Sequence, residues 1–284
     1  MAIGADSLGG TWYNLRMKKT IGFFGAGKMA EGIVQAVAAA GSFDLKDIVM
    51  AESHPPRAKE MSKRYRVKTV ADVEQAAKEA DAIFLSVKPQ DVAAVAARVK
   101  PLLSSKKLVI SIVAGKSLAT LRRMFGAKVR LVRVMPNLAL RAKEGMCAIC
   151  PAKNATKTDI RLVTSILGAA GQTAILKEKD FDAVTALSGS GPAFFAYMAE
   201  AMAEGGVKLG LKPDVALKLA KQTMLGTAAY LRQSGADLGE FIAGVATKGG
   251  TTAAGMDVMR ASAFKDIVAS TLAAAAARSA ELGK

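Results

Sequence analysis

The chain has 284 residues, with 40 Lys and Arg against 24 Asp and Glu and a formal net charge of +16. One histidine (His54) and two cysteines exclude a multi-histidine metal centre and a disulfide framework, so no metal is expected and a reducing, cytoplasmic compartment is. No apolar run reaches the roughly 18 residues of a membrane span, so no membrane partner is expected either.

Residues 1–16 are Gly-rich, unpatterned and without the apolar core of a signal peptide. They read as a disordered extension, with Met17 as an alternative start. Thr20–Phe24 reads as the first buried strand. Asp47–Glu52, Ala82–Val87, Leu108–Val113 and Val129–Met135 follow, with weaker strands near Gly145–Cys150 and Thr173–Leu176. Helical patterns fill Met29–Ala40, Arg57–Tyr65 and Gln90–Val99. Such alternation predicts an α/β fold, a Rossmann-type parallel sheet with helices on both faces.

From Phe181 onward β-branched runs vanish and Ala, Leu, Met and Gly dominate. Pro192 opens a helix to about Lys208, stopped by Gly210. Pro213 opens the next, which ends near Ser234–Gly235. Two or three more helices fill Leu238 to Leu282. The expected organisation is therefore a dinucleotide-binding domain at 17–177 and an all-α substrate and dimerisation domain at 178–284. Helices lined with small apolar residues pack closely and suit self-association.

The positive charge is local. Residues 100–161 hold 14 Lys and Arg and only two acids. We read this first as a field favouring an anionic cofactor and substrate. Among the cations of this segment stands a single aromatic residue, Phe125, so a nucleic-acid partner is not expected.

Gly25-Ala26-Gly27-Lys28-Met29-Ala30 follows a strand and opens a helix. Gly25 permits the tight turn, Gly27 lets the backbone approach a pyrophosphate, and the helix start supplies N–H groups and a positive dipole. Glu52 ends the second strand, where an acid bonds the adenosine ribose of NAD and repels the 2′-phosphate of NADP. Ser53, His54 and Arg57 follow and could instead welcome that phosphate. Val87-Lys88-Pro89-Gln90, Ser111–Gly115 (including Ala114) and Met135-Pro136-Asn137 each end a strand. Each alone is an ordinary turn; together they outline a cleft at the carboxyl ends of a sheet. In the helical half, Ser188–Pro192 and Lys248–Thr252 are glycine-rich turns whose N–H groups suit a carboxylate or phosphate.

These segments resemble the pyrroline-5-carboxylate reductase family from about Lys18 to Gly283. The resemblance is carried by Ile21–Ala30, Val87–Gln90, Ser111–Gly115, Arg133–Asn137, Asp182–Ala193, Gln222-Thr223, Gly249–Thr252 and Arg278–Gly283. It implies a Rossmann domain, a helical domain interlocking with a second subunit, and NADPH- or NADH-dependent reduction of a cyclic imine acid to proline. It places Gly25, Ala26, Gly27, Lys28, Met29, Glu52, Ser53, Val87, Lys88, Pro89, Ala114, Gly115 and Asn137 at the cofactor. It places Ser190, Gly249, Gly250, Thr251 and Thr252 at the substrate, with the Thr252 hydroxyl on the imine nitrogen as the catalytic contact. The chain departs from the family pattern at Lys28, Leu138-Ala139, Phe194 and Thr247-Lys248, where Asn, Thr-Pro, Tyr and Ser-Pro are usual. Those departures leave the exact imine open. The alternatives are a reductase of a related cyclic imine acid or an oxidoreductase like the β-hydroxyacid dehydrogenases. The second would need a catalytic lysine, for which Lys221 is the nearest counterpart.

Overall fold

Ile21–Phe24 (β1) is buried on both faces, and its alternation explains how. Ile21 and Phe23 join one apolar cluster and Phe24 joins another. The same division holds in Ile48–Ala51 (β2), Ala82–Leu85 (β4) and Leu108–Ser111 (β5). Ile48, Met50, Ala82, Phe84, Leu108 and Ile110 face the first cluster; Val49, Ala51, Ile83, Leu85 and Val109 face the second. A strand with apolar residues on both faces reads as a continuous greasy run, which is the signature of a parallel sheet covered on both sides. The computed structural model describes residues 19–41 and 43–283, so the expected extension 1–16 and the start at Met17 lie outside the described residues.

Two further strands on this sheet are Lys68–Val70 (β3) and Arg130–Met135 (β6). Gly145–Pro151 (β7) and Gly171–Ile175 (β8) complete it. The order is β3-β2-β1-β4-β5-β6-β7-β8. Lys28–Ala40 (α1), Pro55–Tyr65 (α2) and Lys157–Gly168 (α6) contribute to the first cluster. Val73–Glu79 (α3), Val92–Val99 (α4) and Leu118–Phe125 (α5) cover the other face. The Phe23 and Phe84 rings stack across β1 and β4 at 5.0 Å, adding about 0.5–1.5 kcal/mol beyond their burial.

The parallel expectation holds from β3 to β6 and fails beyond it. β7 runs antiparallel to β6, and β8 runs parallel to β7. The reason is length. Between Met135 and Gly145 there is only a short segment with a 3₁₀ turn at Leu138–Ala142, whereas a parallel crossover needs about a dozen residues or more. β3 is a strand the apolar pattern did not reveal, since its three residues are exposed, half-buried and buried in turn.

Part of the basic segment is internal wiring. Lys107 Nζ donates to the carbonyls of Ala77, Lys78 and Ala80 at 2.7, 3.0 and 2.7 Å, closing the C-terminal end of α3. Burial pushes its pKa down. Arg130 bonds the fully buried Asp159 at 2.7 and 2.9 Å, and Asp159 forms a capping box with Thr156 at the start of α6. Arg133 pairs with Glu178 at 2.9 Å and lies over the Phe181 ring. These three cations support the fold, so the field expected from residues 100–161 is weaker than their number suggests.

Past β8 come Phe181–Val184 (α7), a π-helical turn at Thr185–Gly189, and Gly191–Lys208 (α8). Pro213–Ser234 (α9), Leu238–Val245 (α10), Thr251–Ala261 (α11) and Phe264–Leu282 (α12) follow. The chain forms two compact units. One runs to Gly189 and takes in the chain from Arg278 onward; the other is Ser190–Ala277. Within the first, Ser279 Oγ donates to Asp182 Oδ1 at 2.7 Å. In the second, the buried apolar cluster consists of Ala199, Ala203, Ala216 and Ala220. Phe195, Tyr197, Met202, Leu219, Leu225 and Ile267 are exposed there. Among the described residues no helix is long and apolar enough to cross a membrane.

Candidate active site

The chain leaves β1 on one side to make β2 and β3, and on the other to make β4, β5 and β6. The crevice at that reversal, outside the carboxyl ends of β1 and β4, is where doubly wound sheets bind ligands. Gly25 stands there with φ +94°. A Cβ on it would lie 2.9 Å from the Ser86 carbonyl oxygen, so both backbone and space require glycine. Its N–H donates to Ala51 O at 2.9 Å. Ser86 Oγ, just past β4, donates to the Phe24 and Gly25 carbonyls at 2.9 Å each and pins the turn from the other side.

Gly27 is the N-cap of α1, supplies no side-chain cap, and has no neighbouring atom within 4 Å of a Cβ position. This open cradle at the amides of Lys28, Met29 and Ala30 fits a pyrophosphate. The Lys28 side chain is exposed and Met29 is half-buried beside it. The residues present therefore fit a dinucleotide.

Glu52 follows β2 and faces this turn. Its Oε2 accepts the Ala26 N–H at 3.0 Å and its Oε1 accepts the His54 N–H at 2.9 Å. Ser53 and His54 are exposed beside it. Arg57 does not stand free for a phosphate. Its Nε donates to Ala26 O at 2.7 Å, and its other nitrogens pair with Glu31 at 2.9 Å and Glu60 at 2.7 Å. Glu31, with 4% of its side chain exposed, also takes Arg64 at 2.9 Å and the Tyr65 hydroxyl at 2.7 Å. Burial pushes the Glu31 carboxyl up, but hydrogen bonds from Arg57 and Tyr65 and the two guanidinium charges outweigh it, and the net shift is down. The same embrace raises Arg57 against the opposing effect of its own burial.

The remaining expected cofactor residues of this unit differ in accessibility. Val87 is half-buried, while Lys88 and Pro89 are exposed where a 3₁₀ turn at Pro89–Asp91 follows β4. Ala114 is half-buried and Gly115 buried. A Cβ on Gly115, at φ +72°, would meet the Leu282 backbone at 2.8 Å, so the end of α12 lies against this turn. Asn137 is engaged within the protein: Oδ1 accepts the Met146 N–H at 3.2 Å and Nδ2 donates to Ser188 Oγ at 3.4 Å. Ser86 and the Glu31 cluster were not among the residues expected from sequence. A serine after β4 carries a weak sequence signal, and the Glu31 cluster joins residues more than twenty positions apart, which carries none.

In the second unit, Gly250 N–H donates to Thr247 O at 2.9 Å, and Gly249 sits at φ +76°. α11 then begins at Thr251 with Gly250 as N-cap and no side-chain cap. Thr251, Thr252 and Lys248 are exposed, so a helix start with open amides is presented together with two hydroxyls. Ser190 is the N-cap of α8 without a side-chain cap bond, and its carbonyl accepts Ala193 N–H at 2.9 Å. Lys221 is exposed on α9.

A sheet of this order, with a glycine-rich strand–turn–helix at its reversal, defines a Rossmann-type dinucleotide-binding oxidoreductase fold. Residues 20–115 match the family model described as NADP oxidoreductase, coenzyme F420-dependent, and residues 178–282 match the model for pyrroline-5-carboxylate reductase dimerisation. The pyrroline-5-carboxylate reductases of Methanosarcina acetivorans and Pisum sativum are each 37% identical over 93% of this chain, covering 98% and 96% of their own lengths. A solved structure of a pyrroline-5-carboxylate reductase from Coxiella burnetii superposes with a TM-score of 0.89 at 30% identity, over 94% of this chain and 99% of that one. The chain belongs to the pyrroline-5-carboxylate reductase family.

Proposed function

We infer that this protein reduces 1-pyrroline-5-carboxylate to L-proline with a nicotinamide dinucleotide as hydride source. The reading rests on two helix starts. The α1 start, with its open glycine at Gly27, suits the pyrophosphate. The α11 start, at Gly249–Thr252, suits a substrate carboxylate.

The reduced nicotinamide supplies hydride to the imine carbon. Protein groups have only to orient the reactants, because a protonated cyclic imine already carries an electrophilic carbon. The Thr251 and Thr252 N–H groups hold the carboxylate, and the Thr252 hydroxyl bonds the ring nitrogen, with Ser190 assigned to the substrate as well. Gly25–Met29, Glu52, Ser53, Val87–Pro89, Ala114, Gly115 and Asn137 are assigned to the cofactor. Asn137 acts there through the segments it ties together.

Self-association belongs to the same reading. The Ser190–Ala277 unit buries four alanines as its apolar cluster while many large apolar side chains stay exposed, and helices in that state need a partner face. A homodimer or an assembly of dimers in the cytoplasm is the form we propose. The domain boundary near Lys177 is part of the proposal; the matched dimerisation segment starts at residue 178, whereas the compact units divide after Gly189. The deciding assay follows NADH and NADPH oxidation with pyrroline-5-carboxylate and with its six-membered homologue. Turnover of the five-membered ring is expected; turnover of neither overturns the reading, and preference for the larger ring moves it to a related imine acid.

A further inference from the structure

We propose that this protein selects NADH over NADPH, with Glu52 as the specificity-determining residue; the proposal rests on the reductase reading above. Three observations at the end of β2 carry it. The first is the Glu52 carboxylate. Both oxygens are anchored by main-chain N–H groups, from Ala26 at 3.0 Å and His54 at 2.9 Å. The carboxylate is therefore fixed beside the glycine-rich turn, and each oxygen keeps a lone pair for a ribose hydroxyl. A 2′-phosphate at that position would meet a negative charge that cannot swing away.

The second is Arg57, the cation best placed in sequence to neutralise such a phosphate. Each nitrogen of its fork already has a partner, in Ala26 O, Glu31 and Glu60, so its charge is shared between two carboxylates, and it is 20% exposed. Turning it toward a phosphate would abandon the buried Glu31, which keeps Arg64 and Tyr65 as its remaining partners.

The third is the start of α2. A helix N-terminus could hold the phosphate through its free amides, but Pro55 and Pro56 occupy the first two positions and have no N–H. The next two amides, of Arg57 and Ala58, both donate to His54 O at 3.0 Å. Residues 55–58 therefore offer no free amide to an anion. Exposed Lys and Arg on the neighbouring elements include Lys28, Lys59, Lys63, Arg64 and Lys68, of which Arg64 and Lys68 are already paired.

The test is direct binding to the full-length protein without imine, read by isothermal titration calorimetry, with NADH, NADPH, ADP-ribose and 2′-phospho-ADP-ribose. NADH and ADP-ribose are expected to bind roughly tenfold or more tightly than their 2′-phosphorylated counterparts. Glu52→Gln retains an acceptor for the Ala26 N–H and loses the charge. It should weaken NADH binding and remove the repulsion of the 2′-phosphate, so that the preference for NADH over NADPH falls roughly tenfold. An unchanged melting temperature for that variant separates selectivity from collapse of the turn. Tighter NADPH binding by the wild type overturns the selectivity and leaves the reductase reading standing. Binding of neither dinucleotide overturns both. A Glu52→Gln variant that loses NADH and NADPH binding in equal measure reduces Glu52 to a support for the turn and overturns the proposal.

Discussion

Arg57 and Glu31 pair at 2.9 Å between α2 and α1, and the same guanidinium donates to the Ala26 carbonyl in the glycine-rich turn. A buried carboxylate thus holds the cation that braces the cofactor loop. Arg57→Met leaves Glu31 with Arg64 and Tyr65 only, and should destabilise the fold by about 1–3 kcal/mol. The pH dependence has a defined sign. The folded pKa of Glu31 lies below its unfolded value, so the stabilisation is complete above the ordinary carboxylate range and is lost as pH falls through the folded value. Denaturant melts of wild type and Arg57→Met should differ at pH 7 and converge on acidification; a gap that stays constant down to pH 3 would contradict this role.

Gly25→Ala tests the turn itself. Its φ of +94° and the 2.9 Å approach to Ser86 O predict a loss of about 1–3 kcal/mol in stability and a collapse of dinucleotide binding. Gly27→Ala, with open space at its Cβ, should leave stability within about 0.5–1 kcal/mol and impair binding alone. Calorimetric melts with and without dinucleotide distinguish the two, and equal stability losses in both would sink the distinction.

Thr252 is the test of the substrate turn. Thr252→Ala should lower kcat/KM by about 1–3 kcal/mol, and Thr252→Ser should recover most of it, because the hydroxyl and the N–H are both kept. Dinucleotide binding should be unaffected by either change. Unchanged steady-state kinetics for the alanine variant would remove Thr252 from the reaction.

Both thiols should be inert in the folded protein. Burial pushes Cys147 up to about 12 and also raises Cys150. With an aromatic disulfide reagent at pH 8, neither should react at the rate of a free thiol, and both should react once the chain is unfolded. Fast stoichiometric labelling of the native protein would show that the β7 face opens on the timescale of the assay.

The strands that were legible in the sequence were the ones buried on both faces. TIGFF, AIFLSV and LVISIV are continuous apolar runs because each alternate residue meets a different helical layer. β3 escaped because Lys68–Val70 is short and graded from exposed to buried. The direction of β7 was illegible because strand residues look alike whichever way they run, and the length of the connection decides.

The residues of the candidate site were legible where a local motif is enough. A glycine turn between strand and helix names itself, and so does Gly249–Thr252 ahead of α11. The resemblance carried by these motifs was likewise visible in the chain alone. The meaning of the Glu52–Arg57 segment was not. Its sequence offers an acid that favours NAD and a cation that favours NADP, side by side. The tie between Arg57 and Glu31 spans 26 positions, and the bond from Ala26 to Glu52 spans another 26. Composition and periodicity describe what each residue can do over a few turns of chain. Which of those capacities is already engaged depends on partners brought together by the packing of α1, α2 and β2, and only the tertiary structure decides that.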